Sequence, residues 1–242
     1  SAALNALGTN FTVEAWMWNE DVAPGGSFIV NKGAFGLVLG IYDTNNLVAG
    51  NVPGYGGNDE VEAATALPYN QWHHVAFTFD GTIRKIYIDG VLDAASAIPH
   101  SVLLNASNLR IGANSGALVD QFHGKLDNLR VWNVARTADE IFCSVNDTLK
   151  GPQAGLIAEW NFDDGTAADA SGLANHGTLM GAAAIADEAL PSITLPNPCP
   201  EPVPAPLTNG VLVLQGTSYV DVPASAALNA LGTNFTVEAW MW

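Results

Sequence analysis

Large apolar residues alternate with small or polar ones along much of the chain. This period of two is typical of β-strands with one buried face. In residues 72–79 the alternation is regular, and Asp80-Gly81, a strong hairpin signal, follows directly. Many short strands at close spacing predict an all-β fold, a sandwich of two antiparallel sheets, rather than a parallel sheet with helices. The strongest predicted strands are residues 11–18, 28–31, 35–42, 72–79, 83–88, 109–111, 124–132, 156–161, 177–180 and 211–222.

One short helix is predicted over residues 138–145. Thr137 and Glu140 have the spacing of a capping box, in which the threonine accepts from the third amide and the glutamate reaches back to the first.

Residues 1–18 recur without a single difference as residues 225–242. The second copy begins 224 residues after the first, a spacing too long for a solenoid unit but suited to one domain per repeat. We therefore interpret the chain as a permuted window of a 224-residue repeat in a tandem array.

Prolines mark the predicted domain boundary. Seven of the 13 prolines fall in residues 191–206, and proline favours an extended, semi-rigid spacer. The predicted organisation is a main domain over residues 1–190, a linker over 191–206 and the first strands of the next repeat over 207–242. Because residues 235–242 repeat a predicted strand, we expect successive units to share strands along a fibre. The alternative is that residues 211–222 fold back onto their own body and leave residues 235–242 redundant.

The charge balance argues against two classes of partner. Lys+Arg is 8 against Asp+Glu 24, a net charge of −16, whereas nucleic acids and anionic membranes require clustered cations. No apolar run is long enough to span a membrane.

The chain has two cysteines, Cys143 and Cys199. They are too few for a disulfide scaffold and lack the C-x-x-C spacing of zinc or redox sites. If the protein is exported, they predict one disulfide; if it is cytosolic, they are two ordinary thiols.

Six segments in order resemble the laminin-G-like jelly rolls of the concanavalin A-like lectin/glucanase superfamily. The resemblance implies two curved antiparallel sheets, frequent calcium, and roles in binding or adhesion, and it does not imply catalysis. The segments are FTVEAWMW, QWHHVAFTFDG, IYIDGVL, LRIGAN, FHGKLDNLRVWNVARTADEI and GLIAEWNFDDGTAADASGLANHGTL.

Catalytic residues of the superfamily's glucanases are not found in the sequence. Those enzymes carry a strand with E-x-D-x-x-E spacing, which places a nucleophile and an acid on one face. Residues 58–62 are the densest acidic stretch, and we interpret them as a solvated loop. His73 and His74 are neighbours on a predicted strand, so they point to opposite faces and do not chelate one ion together.

Two structural calcium sites are implied by the resemblance. Asp127 matches the aspartate that laminarinase-like relatives use, and we expect it to share a face with Leu129 and Val131, where a carboxylate needs a cation or several donors. The alternative is a salt bridge or backbone hydrogen bonds. The second site follows the pentraxin pattern and departs from it in detail. Its candidate ligands are Asn114, Asp120, Gln121 and Asn31.

Aromatic residues raise the question of sugar stacking. Most tryptophans of a sandwich fill its core. Trp16 and Trp18 point the same way on one predicted strand, where they form either a stacking surface or part of the core. Tyr55, in a glycine-rich loop, is a candidate for an exposed ligand contact.

These observations predict a non-catalytic structural or adhesive repeat of a secreted or cell-surface protein, with identical neighbouring repeats as partners. The alternative is a lectin-like module that binds carbohydrate or matrix protein and is repeated for avidity. An exposed aromatic residue or a calcium-binding rim would favour the lectin-like module over the structural repeat.

Overall fold

The computed structural model describes residues 2–5, 7–21, 26–33, 37–42, 46–51, 60–97, 107–115, 120–146, 149 and 153–193. All of them belong to the first of the two units into which the chain divides, Ser1–Cys199 and Pro200–Trp242. The predicted linker and the second copy of the repeat lie outside the described residues, apart from residues 191–193. The domain limits, the shared strand and the tandem array therefore stay predictions.

Eleven strands and two helices make up the described part of the chain. They are α1 (Ala2–Asn5), β1 (Asn10–Asp21), β2 (Ser27–Lys32), β3 (Leu37–Ile41), β4 (Asn46–Asn51), β5 (Glu60–Ala66), β6 (Trp72–Asp80), β7 (Ile83–Ile88), β8 (Val91–Ala97), β9 (Leu109–Ile111), β10 (His123–Trp132), α2 (Ala138–Ser144) and β11 (Leu156–Trp160).

The strands form two antiparallel sheets. The six-stranded sheet has the order β11-β10-β1-β6-β7-β8, and the five-stranded sheet has the order β5-β4-β3-β2-β9. This confirms the predicted all-β jelly-roll sandwich, in which α1 is a single turn and α2 is the predicted short helix. Neither helix is long and apolar enough to cross a membrane.

Strand β1 lies at the centre of the six-stranded sheet, paired with β10 on one side and β6 on the other. Its alternation is the one that the sequence predicts. Phe11, Val13, Ala15 and Met17 are fully buried between the sheets. Burying such side chains contributes roughly 1.5–3 kcal/mol each for the larger ones, which makes this strand a main source of stability.

Helix α2 covers part of the outward face of the six-stranded sheet, above Glu14. Thr137 accepts from the amide of Glu140, and the Glu140 carboxylate accepts from the amide of Thr137, so the predicted capping box is confirmed. Arg136 links the helix to β1, because it donates to the Glu14 carboxylate at 2.9 Å and to the Ser144 hydroxyl at 2.7 Å. This ion pair is buried and helps to fix the helix on the sheet.

Two local predictions are wrong. Residues 177–180 form no strand, because the amide of Gly177 bonds to the carbonyl of Ala167 and turns the chain, leaving Leu179 and Met180 exposed. The acidic stretch is not entirely a loop, since β5 begins at Glu60. Two small residues, Ala63 and Ala64, weaken the strand signal of β5 in the sequence.

Candidate functional site

The outward face of the six-stranded sheet carries a row of accessible side chains near the C-terminal end of β1. Trp18 lies opposite Trp72 of β6 and opposite Lys125 of β10, and directly paired residues of antiparallel strands point to the same face. Trp16, two residues earlier on this face, is only 2% exposed. The sequence left open whether Trp16 and Trp18 are core or surface, and the structure gives a different answer for each.

The rings of Trp18 and Trp72 are half-buried and form an edge-to-face pair. Their centroids lie 6.1 Å apart at an interplanar angle of 64°. The ammonium of Lys125 lies 4.7 Å from the centroid of Trp18. We call Trp18 and Trp72 the tryptophan pair; together they present apolar ring surface beside a cation.

Glu188, from a distant part of the chain, contacts both Trp72 and Lys125. Its Oε1 accepts from the indole Nε1 of Trp72 at 3.2 Å, and its Oε2 accepts from Nζ of Lys125 at 2.6 Å. The hydrogen bond from Lys125 is the first cause that holds the pKa of Glu188 below its usual value, so the group is a carboxylate at neutral pH. Lys125 and Glu188 remain accessible, with 43% and 37% of their side-chain surfaces exposed.

Residues 188–193, which we call the strap, run from this cluster across the same face without regular secondary structure. Their other fixed point is Asn146, whose side chain exchanges two hydrogen bonds with the backbone of Ile193, at 2.7 and 2.9 Å. A cavity of about 190 Å³ lies beneath the strap. It is lined by Trp16, Asn128, Val145, Asn146, Leu190, Pro191 and Ser192.

Asp127 lies on this outward face as well, opposite Trp16. The expectation that it shares a face with Leu129 and Val131 is wrong. An extra residue in β10 shifts the register between Arg130 and Asp127, and Asn128 there adopts a φ of 46°, a bulge that turns Asp127 away from the core.

The carboxyl of Asp127 is half-buried, and burial raises its pKa to about 6. The negative charge of Asp163 raises the pKa further, while a hydrogen bond from the amide of Asn128 at 2.7 Å opposes the rise. Carboxylate oxygens are the ligands that calcium prefers. A calcium ion bound by Asp127 and Asp163 would relieve the repulsion between their charges.

The second predicted calcium cluster is brought together in part. The amide nitrogen of Asn114 donates to Asp120 at 3.1 Å, and Asn31 accepts from the amide of Ser115 at 2.7 Å. Gln121 is exposed and adjacent to them in sequence. One side-chain oxygen of Asp120 and that of Asn31 therefore already accept hydrogen bonds within the protein, and the second calcium site stays a prediction. Among the described residues no three His, Cys, Asp or Glu side chains are grouped to hold a metal.

His73 and His74 have separate environments, as expected of neighbours on a strand. His73 bonds to Asp89 through Nδ1 at 2.9 Å. His74 is buried against the ring of Trp16, and burial lowers its pKa to about 4. The two rings therefore form no joint site.

Glu60 and Glu62, expected from the sequence to lie in a loop, both lie on β5. Glu60 and Glu62 lie two positions apart and point to the same face of the five-stranded sheet. Tyr42 donates its hydroxyl to Glu60 at 3.1 Å, and burial raises the pKa of Glu60. Thr65 stands where the last acid of the glucanase pattern would lie, so the strand departs from that pattern.

Two predicted residues, Tyr55 and Cys199, lie outside the described residues. Cys143 is half-buried in α2. Its pairing with Cys199 remains a prediction to be checked by peptide mapping. Lys125 and Glu188 were also missed as site residues. The alternation of β10 places Lys125 on the face of Asp127, but no sequence pattern connects Glu188 with Trp72.

Comparison with known proteins agrees with this architecture. Residues 1–142 match a laminin-G-like family model of the Concanavalin A-like lectin/glucanases superfamily. Mouse pappalysin-1 is 32% identical over 110 residues, which cover 43% of this chain and 7% of pappalysin-1. The chain therefore spans a small part of that relative.

Two solved structures share the fold. A proposed carbohydrate-binding protein from Bacteroides ovatus ATCC 8483 superposes with a TM-score of 0.57 and 25% identity, over 68% of this chain and half of that one. The CBM40 of the Ruminococcus gnavus IT-sialidase superposes with a TM-score of 0.51 and 16% identity, over 60% of this chain and 87% of the other.

Proposed function

Because this chain belongs to the Concanavalin A-like lectin/glucanases superfamily, we propose that it is a carbohydrate-binding module without catalytic activity. The observation that carries the proposal is the tryptophan pair, two half-exposed indole rings side by side on the outward face of the six-stranded sheet. The carbohydrate-binding description of the Bacteroides ovatus relative supports the same function.

The chemistry of the pair suits a sugar. A pyranose ring has an apolar face of C–H groups and a rim of hydroxyls. An indole ring offers a large, rigid apolar surface, and charged groups beside it supply hydrogen bonds that set orientation. The tryptophan pair supplies the surface, and Lys125, whose ammonium lies over the Trp18 ring, supplies hydrogen-bond donors.

The arrangement of the acids supports a non-catalytic module. A glycosidase needs two carboxyl groups that face one bond from either side. Glu60 and Glu62 lack the third acid of the glucanase strand, and Asp127 and Asp163 lie beside a different sheet. We also propose an extracellular or cell-surface location, in keeping with the predicted disulfide.

Calcium at Asp127 belongs to the proposal as a structural ion. Asp127 and Asp163 would hold it, and the ion would neutralise the two carboxylates and fix the bulge at Asn128. Asp127 lies opposite Trp16, two residues along β1 from Trp18, which supports a structural role for the ion beside the sugar site.

The proposal is tested by screening the full chain against an array of neutral and acidic oligosaccharides, then titrating the best ligand by calorimetry. Trp18→Ala is expected to weaken binding at least about tenfold, the loss of one good aromatic contact. Trp18→Phe should restore part of the affinity. Leu92→Ala, which removes an exposed apolar side chain on β8 at the edge of the same sheet, is the control and should leave affinity unchanged. Equal affinities for all four proteins would rule out the tryptophan pair.

A second candidate function, a structural repeat that shares strands with identical neighbours, is favoured by the duplicated sequence. Residues 225–242 are identical to residues 1–18, which form α1 and the first nine residues of β1, and this part of β1 is paired on both sides. The second copy therefore repeats the side chains that β1 uses from Asn10 to Trp18 to fill its place between β6 and β10.

Aspartate substitutions in the two copies test this candidate. Val13→Asp places a charge in the core and should disable the first copy, whereas Val237→Asp disables the second. If strands are shared, Val13→Asp should remain folded and sediment as an assembly of several chains, while the double variant should not fold. An unfolded Val13→Asp protein, or a folded monomer, would contradict strand sharing between units.

A further inference from the structure

The carboxylate of Glu188 is bound in a way that resembles a ligand. One of its oxygens accepts from the indole N–H of Trp72, and the other accepts from the ammonium of Lys125. An indole nitrogen only donates, and an ammonium offers three donors and no acceptor. Trp72 and Lys125 therefore form a donor pair that selects an anionic or strongly accepting group, and a charge-assisted bond to a carboxylate is its strongest use.

The ring of Trp18 lies directly beside this donor pair. It is paired in register with both Trp72 and Lys125, and Lys125 lies over its ring. A carboxylate held by the donor pair would therefore carry the rest of its molecule onto or alongside the Trp18 ring. An acidic sugar combines these two features, because its carboxylate is attached to a pyranose ring with an apolar face.

We propose that the tryptophan pair and Lys125 form a binding site for acidic sugars, and that Glu188 of the strap occupies the carboxylate position when no sugar is bound. This inference rests on the proposed carbohydrate-binding function and names its ligand class. The strap then acts as an internal competitor, and an acidic sugar must displace it.

The attachment of Glu188 suits such a competitor. Glu188 lies in a stretch without regular secondary structure, and its side chain is 37% exposed. Exposed ion pairs of this kind contribute little to stability, because water screens them and both long side chains lose freedom. Asn146 holds the other end of the strap at Ile193, so Glu188 can leave while the strap stays tethered.

The charge distribution of the protein also favours Lys125 as the residue that binds an acidic group. With a net charge of −16 the whole protein repels anions, so an acidic sugar needs a local cation. Lys32, Arg84 and Arg130 are buried, whereas Lys125 is accessible on the face that carries the tryptophan pair. Two positions away along β10 lie His123, which bonds to Asp21 at 2.8 Å, and Asp127, to which the amide of its neighbour Asn128 donates.

The test uses the full chain and two matched probes, trigalacturonic acid and its methyl ester, which differ in the carboxylate. Glu188→Gln removes the internal carboxylate and keeps the side-chain shape. An internal competitor lowers apparent affinity by the fraction of sites left open, so this variant should bind the acid roughly tenfold more tightly and the ester unchanged. Asp187→Asn makes the same change of charge one residue away and should alter neither affinity. Lys125→Met should lose the preference for the acid.

A second readout does not depend on affinity. The indole N–H resonance of Trp72 should shift in Glu188→Gln and return toward its original position when trigalacturonic acid is added. Equal gains in Glu188→Gln and Asp187→Asn would show a general charge effect and overturn the proposal. Equal gains for acid and ester would show simple obstruction by the strap and would also overturn it. Trp18-dependent binding of other sugars without any preference for the acid would overturn this inference alone, whereas no sugar binding by any variant would overturn the proposed function with it.

Discussion

Removing the carboxylate of Glu14 should be among the most damaging single changes to the body of this protein. Glu14 is fully buried, and its Oε1 accepts from Trp132 Nε1 and from Arg136 Nη1, both at 2.9 Å. Arg136 in turn donates to the Ser144 hydroxyl and to the carbonyl of Glu140. Glu14→Ala therefore leaves a buried guanidinium without its partner and loosens α2 from the sheet.

The expected loss in the free energy of unfolding follows from the burial of the ion pair between Glu14 and Arg136. Breaking a buried ion pair from one side costs about 3–5 kcal/mol, because the remaining charge stays buried without compensation. Glu14→Gln keeps an acceptor for Trp132 and removes the charge, so it should cost about 1.5–3 kcal/mol, the range for a hydrogen bond to a charged group. Arg136→Met removes the guanidinium while retaining apolar bulk, and should cost about 3 kcal/mol.

Urea unfolding followed by tryptophan fluorescence measures these free energies. In the double variant Glu14→Ala/Arg136→Met the losses should be less than additive by about 1–3 kcal/mol, as for residues of one network. Glu20→Gln, an exposed acid near the end of the same strand, is the control and should change stability by less than about 0.5 kcal/mol. A cost below about 1 kcal/mol for Glu14→Ala, or full additivity, would refute the role of Glu14 as the anchor of α2.

Three further predictions concern pH, calcium and the disulfide. Burial holds the pKa of His74 at about 4, so between about pH 6.5 and 4 the unfolded state binds a proton that the folded state does not. The free energy of unfolding should therefore fall by roughly 3 kcal/mol as the pH drops through this range. His74→Phe should remove this part of the pH dependence, as measured by urea unfolding at pH 7 and 4.5. Calcium should raise the melting temperature by binding the folded state, with no response in Asp127→Asn; a melting curve indifferent to calcium and chelator would contradict the site. Non-reduced peptide mapping should join Cys143 to Cys199, and reduction should destabilise the protein by about 4 kcal/mol in the chain-entropy model; alkylation of both thiols without reductant would exclude the bond.

The sequence predicted the features that depend on local patterns. The alternation of β1 and the Thr137–Glu140 capping box are each complete within a few residues, and both appear in the structure as expected. The sheet face on which Asp127 lies was predicted wrongly, because one extra residue in β10 inverts the alternation. A bulge at an asparagine with positive φ is set by the partner strand, and β10 itself carries no glycine at that position to signal it.

The candidate site could not be predicted from local sequence patterns, for a different reason. Trp16 and Trp18 are equivalent in the alternation of β1, and what separates them is tertiary covering. Trp16 lies under Val145 and donates to its carbonyl at 3.1 Å, whereas Trp18 meets Lys125 and stays accessible. The contact between Trp72 and Glu188 joins residues 116 positions apart, and no periodicity in the sequence encodes it.

The most direct test of the central claim is a nuclear magnetic resonance titration of the tryptophan indole N–H groups with the best oligosaccharide from the array. The account predicts that the signals of Trp18 and Trp72 shift progressively with sugar. The signals of Trp16, Trp132 and Trp160 should stay in place, because their indoles are buried and already bonded to Val145, Glu14 and Asn175. Unchanged Trp18 and Trp72 signals at sugar saturation would contradict carbohydrate binding at the tryptophan pair.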